Sequence, residues 1–112
     1  MTADDLRAAL LRLPGVAEGV GYGTPIFRIG KTMLARLRDD GVLVLKVEPM
    51  TRDVLLATEP AAYFLEDHYR GYPLVLVRLA AAEPVRLLDL LDQAWRMTAP
   101  PRLRAPGVPA RR

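Results

Sequence analysis

Apolar and polar residues alternate between Pro25 and Val47, in the segment PIFRIGKTMLARLRDDGVLVLKV. Alternation with a period of two is typical of β-strands whose two faces lie in different environments. Gly30 and the Asp39-Asp40-Gly41 sequence interrupt the alternation and predict two tight turns. We therefore predict three antiparallel strands connected by two hairpin turns.

The turn after Arg38 determines which side chains share a face of this sheet. A three-residue loop pairs Arg38 with Val42 and Arg36 with Val44, whereas a two-residue loop would mix charged and apolar positions on both faces. Because a slip of one residue moves every side chain to the opposite face, the pattern favours the three-residue loop. The predicted inner face is wholly apolar and carries Phe27, Ile29, Met33, Ala35, Leu37, Leu43, Leu45 and Val47. The predicted outer face carries Ile26, Arg28, Leu34, Arg36, Arg38, Val42, Val44 and Lys46.

Helical patterns flank these strands. An apolar stripe predicts a helix over residues 3–13, capped by Thr2. Residues 15–24, GVAEGVGYGT, contain four glycines and predict a loop. A short helix is predicted to begin near Thr51 and to end before Pro60.

The second half of the chain predicts a brief strand at residues 63–66 and a longer strand at residues 72–80. Pro84 suits the first position of a final helix, which Pro100 ends. Trp95 falls in the apolar stripe of that helix and is predicted to be core. The clustered strands indicate an α+β fold, with a largely antiparallel sheet, helices packed on one face and the other face partly open to solvent.

Positive charge is concentrated at the C-terminal end of the chain. Residues 1–99 contain 12 Lys and Arg against 13 Asp and Glu, whereas residues 100–112 contain four Arg and no acid. We predict one domain over residues 1–99 and a disordered, Pro/Arg-rich tail over residues 100–112. The net charge of the body is then −1, so a local basic patch is expected there, not a basic surface.

Composition excludes several classes of protein. The absence of cysteine excludes disulfides, thiolate metal sites and cysteine nucleophiles. No apolar run approaches the roughly 18 residues needed for a membrane span. Acidic residues precede the first apolar stretch, whereas a secretory signal begins with a basic region, so a cytoplasmic protein is expected.

Short motifs in a fixed order resemble the MmcQ/YjbR family of small bacterial proteins over roughly residues 3–98. In order they are LPG at residues 13–15, GTP at 23–25 leading into FRIGKTMLARL, then VLVLKV, RDVLLATEP, HYRGYPLVLVRL and AWRM. The resemblance implies a compact YjbR-like α+β fold, similar to the frataxin-like arrangement, and it implies DNA binding. It implies no catalytic residue. Members commonly carry Trp in the strand after the His, where this chain has Tyr72-Pro73-Leu74.

Two neighbouring sets of residues are candidate nucleic-acid contacts. Cations on the outer face suit phosphate binding, and the aromatic rings of the 68–72 segment suit base stacking. An alternative stays open, in which the basic side chains only keep an exposed sheet face in solution. The candidate residues are Arg28, Arg36, Arg38, Lys46, His68, Tyr69, Arg70, Tyr72 and Arg78.

His68 is the single histidine, and Glu66 and Asp67 precede it. Two or three such residues without a second histidine do not make a metal site, so no metal, cofactor or catalytic residue is predicted.

The leading hypothesis is a monomeric, non-enzymatic protein that binds DNA through the outer face and has no membrane contact. The alternatives are a protein-interaction module using that face, and a small-ligand binder or enzyme with an unrecognised pocket.

Overall fold

The computed structural model describes residues 1–104, which form helices and strands in the following order. The elements are α1 (Ala3–Arg12), β1 (Val16–Gly21), β2 (Thr24–Ile29), β3 (Thr32–Leu37), β4 (Val42–Lys46), α2 (Pro49–Thr58), β5 (Tyr63–Phe64), a 3₁₀ turn (Asp67–Tyr69), β6 (Leu74–Arg78), α3 (Pro84–Thr98) and α4 (Pro101–Arg104). The strands form one sheet in the order β1-β2-β3-β4-β6-β5, and every neighbouring pair is antiparallel.

Three helices cover the inner face of this sheet. Leu6 and Leu10 of α1, Leu55 of α2, and Leu87 and Leu91 of α3 are buried in the main core. The sheet contributes to that core the side chains of Phe27, Ala35, Leu43, Leu45, Val75 and Val77. This arrangement confirms the predicted α+β class, with helices on one face of an antiparallel sheet.

β1 corrects the prediction of a loop over residues 15–24. Residues 16–21 pair with β2 along their whole length, from Val16 opposite Ile29 to Gly21 opposite Thr24. Glycine weakens a strand in general, but it also permits close approach of a neighbouring side chain. A Cβ atom on Gly21 would lie 3.2 Å from Cδ1 of Ile26. Gly21, one of the glycines that predicted a loop, therefore makes room for a side chain of β2.

A β-bulge between β2 and β3 corrects the predicted faces of two residues. Phe27 lies opposite Ala35 and Arg28 opposite Met33, which leaves Leu34 as an extra residue in β3. A bulge of this kind breaks the alternation of faces. Leu34 is fully buried in the main core, and Met33 packs on the outer face. Beyond the bulge the predicted register is confirmed, because Arg36 is opposite Val44 and the Arg38 amide donates to the Val42 carbonyl at 2.9 Å.

Two features of the helices differ from expectation. α2 begins at Pro49, before the predicted start, because the fixed φ of proline and its missing N–H suit the first helical position. Trp95 is half-buried and not part of the main core. Its indole N–H donates to the Pro14 carbonyl at 2.8 Å, which keeps the ring at the edge of the helix layer.

The described chain ends with a single helical turn, α4, within the segment expected to be disordered. The Arg104 Nε donates to the Ala99 carbonyl at 2.8 Å and connects this turn to the end of α3. Residues 105–112 lie outside the described residues, so the prediction of disorder there stays a prediction. None of the helices within residues 1–104 has the length and apolar character needed to cross a membrane.

Tyr63 in β5 is fully buried, and its hydroxyl has no hydrogen-bond partner among the described residues. Burial disfavours the charged phenolate and raises the pKa of Tyr63 from 10.0 to about 12. Between these values the unfolded chain loses the proton before the folded chain does, so the free energy of unfolding falls as pH rises from 10 towards 12.

Tyr63→Phe is therefore expected to raise the free energy of unfolding by about 1 kcal/mol at neutral pH, since it removes an unsatisfied buried hydroxyl. In the variant, the free energy of unfolding is also expected to fall less steeply above pH 10. Urea denaturation of both proteins at pH 7 and at pH 11 measures both effects. A variant less stable than the wild type at pH 7 would mean that the hydroxyl has a partner.

Candidate functional site at the outer sheet face

The outer face of the sheet carries a small apolar cluster of its own. Val42 and Val44 of β4 and Leu76 of β6 are buried there, beneath partly buried side chains. The covering side chains are Met33, Phe64, Tyr69 and Leu74. Because the 3₁₀ turn places Tyr69 over the sheet, this face is shaped into a cleft.

A cleft of about 450 Å³ opens beside this apolar cluster. We call it the Arg36 cleft. Sheet residues supply its base, the β1–β2 turn supplies Tyr22, and the segment before β6 supplies His68, Tyr69 and Tyr72. Its full lining is Tyr22, Met33, Arg36, Val44, His68, Tyr69, Tyr72 and Leu74. The structure thus brings together one predicted cation and the three predicted aromatic residues.

The Arg36 side chain is held in this cleft by two neutral hydroxyl groups. Its Nη1 donates to Thr24 Oγ1 at 3.1 Å, and its Nη2 donates to Tyr69 Oη at 2.9 Å. The Thr24 hydroxyl donates in turn to the Gly21 carbonyl at 3.0 Å, which orients its lone pairs. A guanidinium carries five N–H donors, so several stay available in this position.

Tyr22 is the most unusual residue of the cleft. Its φ is +56°, and Gly23 after it has a φ of +77°, as in a two-residue type I′ hairpin turn. Asn, Asp and Gly suit the first position of that turn, whereas a bulky residue there is strained by about 1 kcal/mol or more. The ring is 93% exposed and lies 5.5 Å from Cζ of Arg36, a distance at which cation and ring attract.

Arg38 and Arg70, predicted phosphate contacts, are already paired with acids. Arg38 donates to Asp40 and, at 3.0 Å, to Glu66. These hydrogen bonds raise the pKa of Arg38, and the Arg38 guanidinium lowers the pKa of Asp40. Arg70 donates to Asp67 at 2.8 Å and does not line the cleft. Neither cation is free to meet a phosphate without losing an acid partner.

Four predicted cations of the outer face have no carboxylate partner within residues 1–104. We call Arg28, Arg36, Lys46 and Arg78 the four unpaired cations. Arg28 and Lys46 are half-buried on β2 and β4. The Arg78 guanidinium lies 3.9 Å from the Phe64 ring centroid, and its Nη1 donates to the Ala61 carbonyl at 3.3 Å. None of these four charges therefore has a carboxylate of the described residues within ion-pair distance.

His68 has its ring 4.9 Å from that of Tyr69, in an edge-to-face arrangement. Glu66, its candidate partner, is instead bound to Arg38. In the described part of the chain, no three His, Cys, Asp or Glu side chains come together as metal ligands would. His68 is thus placed as a lining residue of the Arg36 cleft.

Two residues of the site, Tyr22 and Thr24, were missed by the sequence interpretation. Both belong to the hairpin turn that the glycine content had hidden. The sequence signal is the pair Tyr22-Gly23 between two segments with a strand pattern. Glycine at the second position is typical of a two-residue hairpin turn, whereas tyrosine at the first position is not.

Comparison with known proteins places this fold in a family. The family model described as YjbR matches residues 11–97. An uncharacterized protein of Mycobacterium tuberculosis and one of Mycobacterium bovis are each 40% identical over 121 aligned residues, covering 91% of this chain and 92% of the relative. The crystal structure of the Deinococcus radiodurans protein DR2400, with a DUF419 domain, superposes with a TM-score of 0.75 at 26% identity. That match covers 86% of this chain and 77% of the other.

Proposed function

This chain belongs to the YjbR family, and we propose that it is a monomeric, non-enzymatic DNA-binding protein of the cytoplasm. The observation that carries the proposal is the set of four unpaired cations on the outer sheet face, which lack acid partners within residues 1–104. Phosphate groups are the natural partners of such cations in nucleic-acid complexes.

The expected affinity is modest and depends strongly on salt. Each phosphate that a cation neutralises contributes about −0.9 to the slope of log K against log salt for duplex DNA. Two to four contacts by the four unpaired cations would give a slope of roughly −2 to −4. Because residues 1–99 carry a net charge of −1, little long-range attraction adds to these local contacts.

Truncation separates this face from the last two arginines of the chain. A protein ending at Arg104 keeps all described residues and lacks Arg111 and Arg112. We expect fluorescence anisotropy with labelled DNA at low salt to detect binding by both the full and the shortened protein. Binding by the full chain alone would assign the interaction to residues 105–112, and binding by neither would end the DNA proposal.

Removing the acids that pair with Arg38 is expected to strengthen DNA binding. The double variant Asp40→Asn/Glu66→Gln leaves the Arg38 charge uncompensated and adds one cation to the face. We expect an affinity increase of about fivefold and a salt slope steeper by about 0.9. Asp53 of α2 and Asp89 of α3, which are both exposed, supply the control Asp53→Asn/Asp89→Asn, which also removes two negative charges. Equal effects of both variants would indicate an unspecific response to net charge.

The alternative of a protein-interaction module finds little support in this geometry. Its predicted apolar contacts Ile26, Leu34, Val42 and Val44 are all buried by the chain's own packing. The alternative of a small-ligand binder gains support from the Arg36 cleft, whose volume lies within the range of roughly 300–1,000 Å³ common for ligand sites.

A further inference from the structure

The shape of the Arg36 cleft favours one class of DNA over the other. A paired base in a duplex shows only its edge, and it lies between its stacked neighbours. A cleft of about 450 Å³ that is lined by aromatic and apolar side chains has room for one base entering from solvent. A base of single-stranded DNA can rotate out of the strand and enter the cleft. A duplex base must first be unpaired and unstacked, which is unfavourable in free energy.

Two exposed aromatic rings reach this cleft from different segments of the chain. Tyr22 comes from the β1–β2 turn and is 93% exposed, and Tyr72 comes from the segment before β6 and is 57% exposed. Exposed aromatic rings beside a cation are the usual components of single-strand binding surfaces, because every base has a flat face that stacks.

The backbone of Tyr22 supplies an independent argument. Tyrosine occupies a left-handed position that Asn or Gly would occupy with less strain, and its ring is not buried in the core. Strain without compensating burial points to a role outside the folding of the chain. The ring lies beside Arg36, which lines the same cleft.

We infer that the Arg36 cleft binds one unstacked nucleotide of single-stranded DNA. The base stacks on Tyr22 and Tyr72, over the apolar side chains of Met33 and Leu74, and Arg36 binds the adjacent phosphate. This inference rests on the proposed DNA binding and deepens it, since it makes single-stranded DNA the preferred partner of the outer face.

Three DNA probes of equal length test the inference: a short oligothymidylate, a duplex, and an abasic strand with the same phosphates and no bases. We expect the wild-type protein to bind the oligothymidylate roughly tenfold more tightly than the other two, the effect of stacking one base. Tyr22→Asn puts a residue suited to the turn in place of the ring, so the fold is preserved. This variant is expected to lose the preference and to bind the abasic strand as the wild type does.

Met50→Asn is the matched control, because Met50 is an exposed apolar residue at the start of α2 and is not part of the cleft. It is expected to keep the preference for the oligothymidylate. Equal binding of oligothymidylate and duplex by the wild type, unchanged in Tyr22→Asn, would overturn the inference while DNA binding itself stands. Binding of thymidine monophosphate as tight as that of the strand would also overturn it, in favour of a free small ligand. Absence of binding to all probes would remove the proposed function and the inference together.

Discussion

Arg36→Gln is expected to weaken binding of every DNA probe by about 2–3 kcal/mol, close to 100-fold, in line with the loss of charge-assisted hydrogen bonds. Arg36 is held by Thr24 and Tyr69, two neutral acceptors, so its charge is available to a phosphate. Glutamine has no charge but can still donate to one of these hydroxyls. The free energy of unfolding should therefore change by only about 1 kcal/mol.

Arg70→Gln is the matched control for this substitution. It removes the same charge from the same side of the protein, but Arg70 is already paired with Asp67 and lies outside the cleft lining. We expect its effect on DNA affinity to stay within about threefold, in keeping with the small energies of exposed ion pairs. Equal losses in the two variants would indicate that net charge alone governs binding. Titrations of both variants with labelled DNA at one salt concentration decide between these outcomes.

Leu34→Ala is expected to lower the free energy of unfolding by about 3 kcal/mol. Leu34 is fully buried in the main core, and truncation of a core leucine leaves a cavity as well as removing apolar contacts. For a domain whose total stability is about 5–15 kcal/mol, this is a large share. The effect depends on the β-bulge, since the uninterrupted alternation would have left Leu34 on the outer face.

Met33→Ala provides the comparison for Leu34→Ala. Because of the bulge, each of these two residues lies on the face that uninterrupted alternation predicts for the other. Met33 is only partly buried against the outer cluster, so a loss of about 1 kcal/mol is expected. Urea denaturation of both variants measures the difference. A larger loss in Met33→Ala than in Leu34→Ala would mean that the strand keeps the alternating register.

The fold was largely predictable because its strongest signals are local. The hairpin of β3 and β4 follows from alternation and from a turn whose glycine, Gly41, has a φ of +80°. The alternation does not reveal the bulge, because both Met33 and Leu34 are apolar and either satisfies an inner position. β1 was missed because its glycines predict a loop, whereas the close approach of Ile26 to Gly21 comes from the neighbouring strand and is not visible in the local sequence.

The candidate site was predictable only in part, because charge compensation depends on tertiary contacts. The outer position of Arg36 follows from the register, but the pairing of Arg38 with Glu66 joins residues 28 positions apart. Hydrogen bonding of Arg36 to Tyr69 spans 33 positions. The pairs Arg38–Asp40 and Arg70–Asp67 are local in sequence, but no local pattern reveals the Glu66 partner of Arg38 or the hydroxyl partners of Arg36.

The salt dependence of DNA affinity, compared between the protein ending at Arg104 and its Arg36→Gln variant, tests most directly whether the outer face binds phosphate. The expected slope of log K against log salt is roughly −2 to −4 for the wild-type sequence on duplex DNA, and shallower by about 0.9 for the variant. A slope near zero would contradict phosphate binding by the four unpaired cations, and the same slope in both proteins would contradict phosphate binding by Arg36.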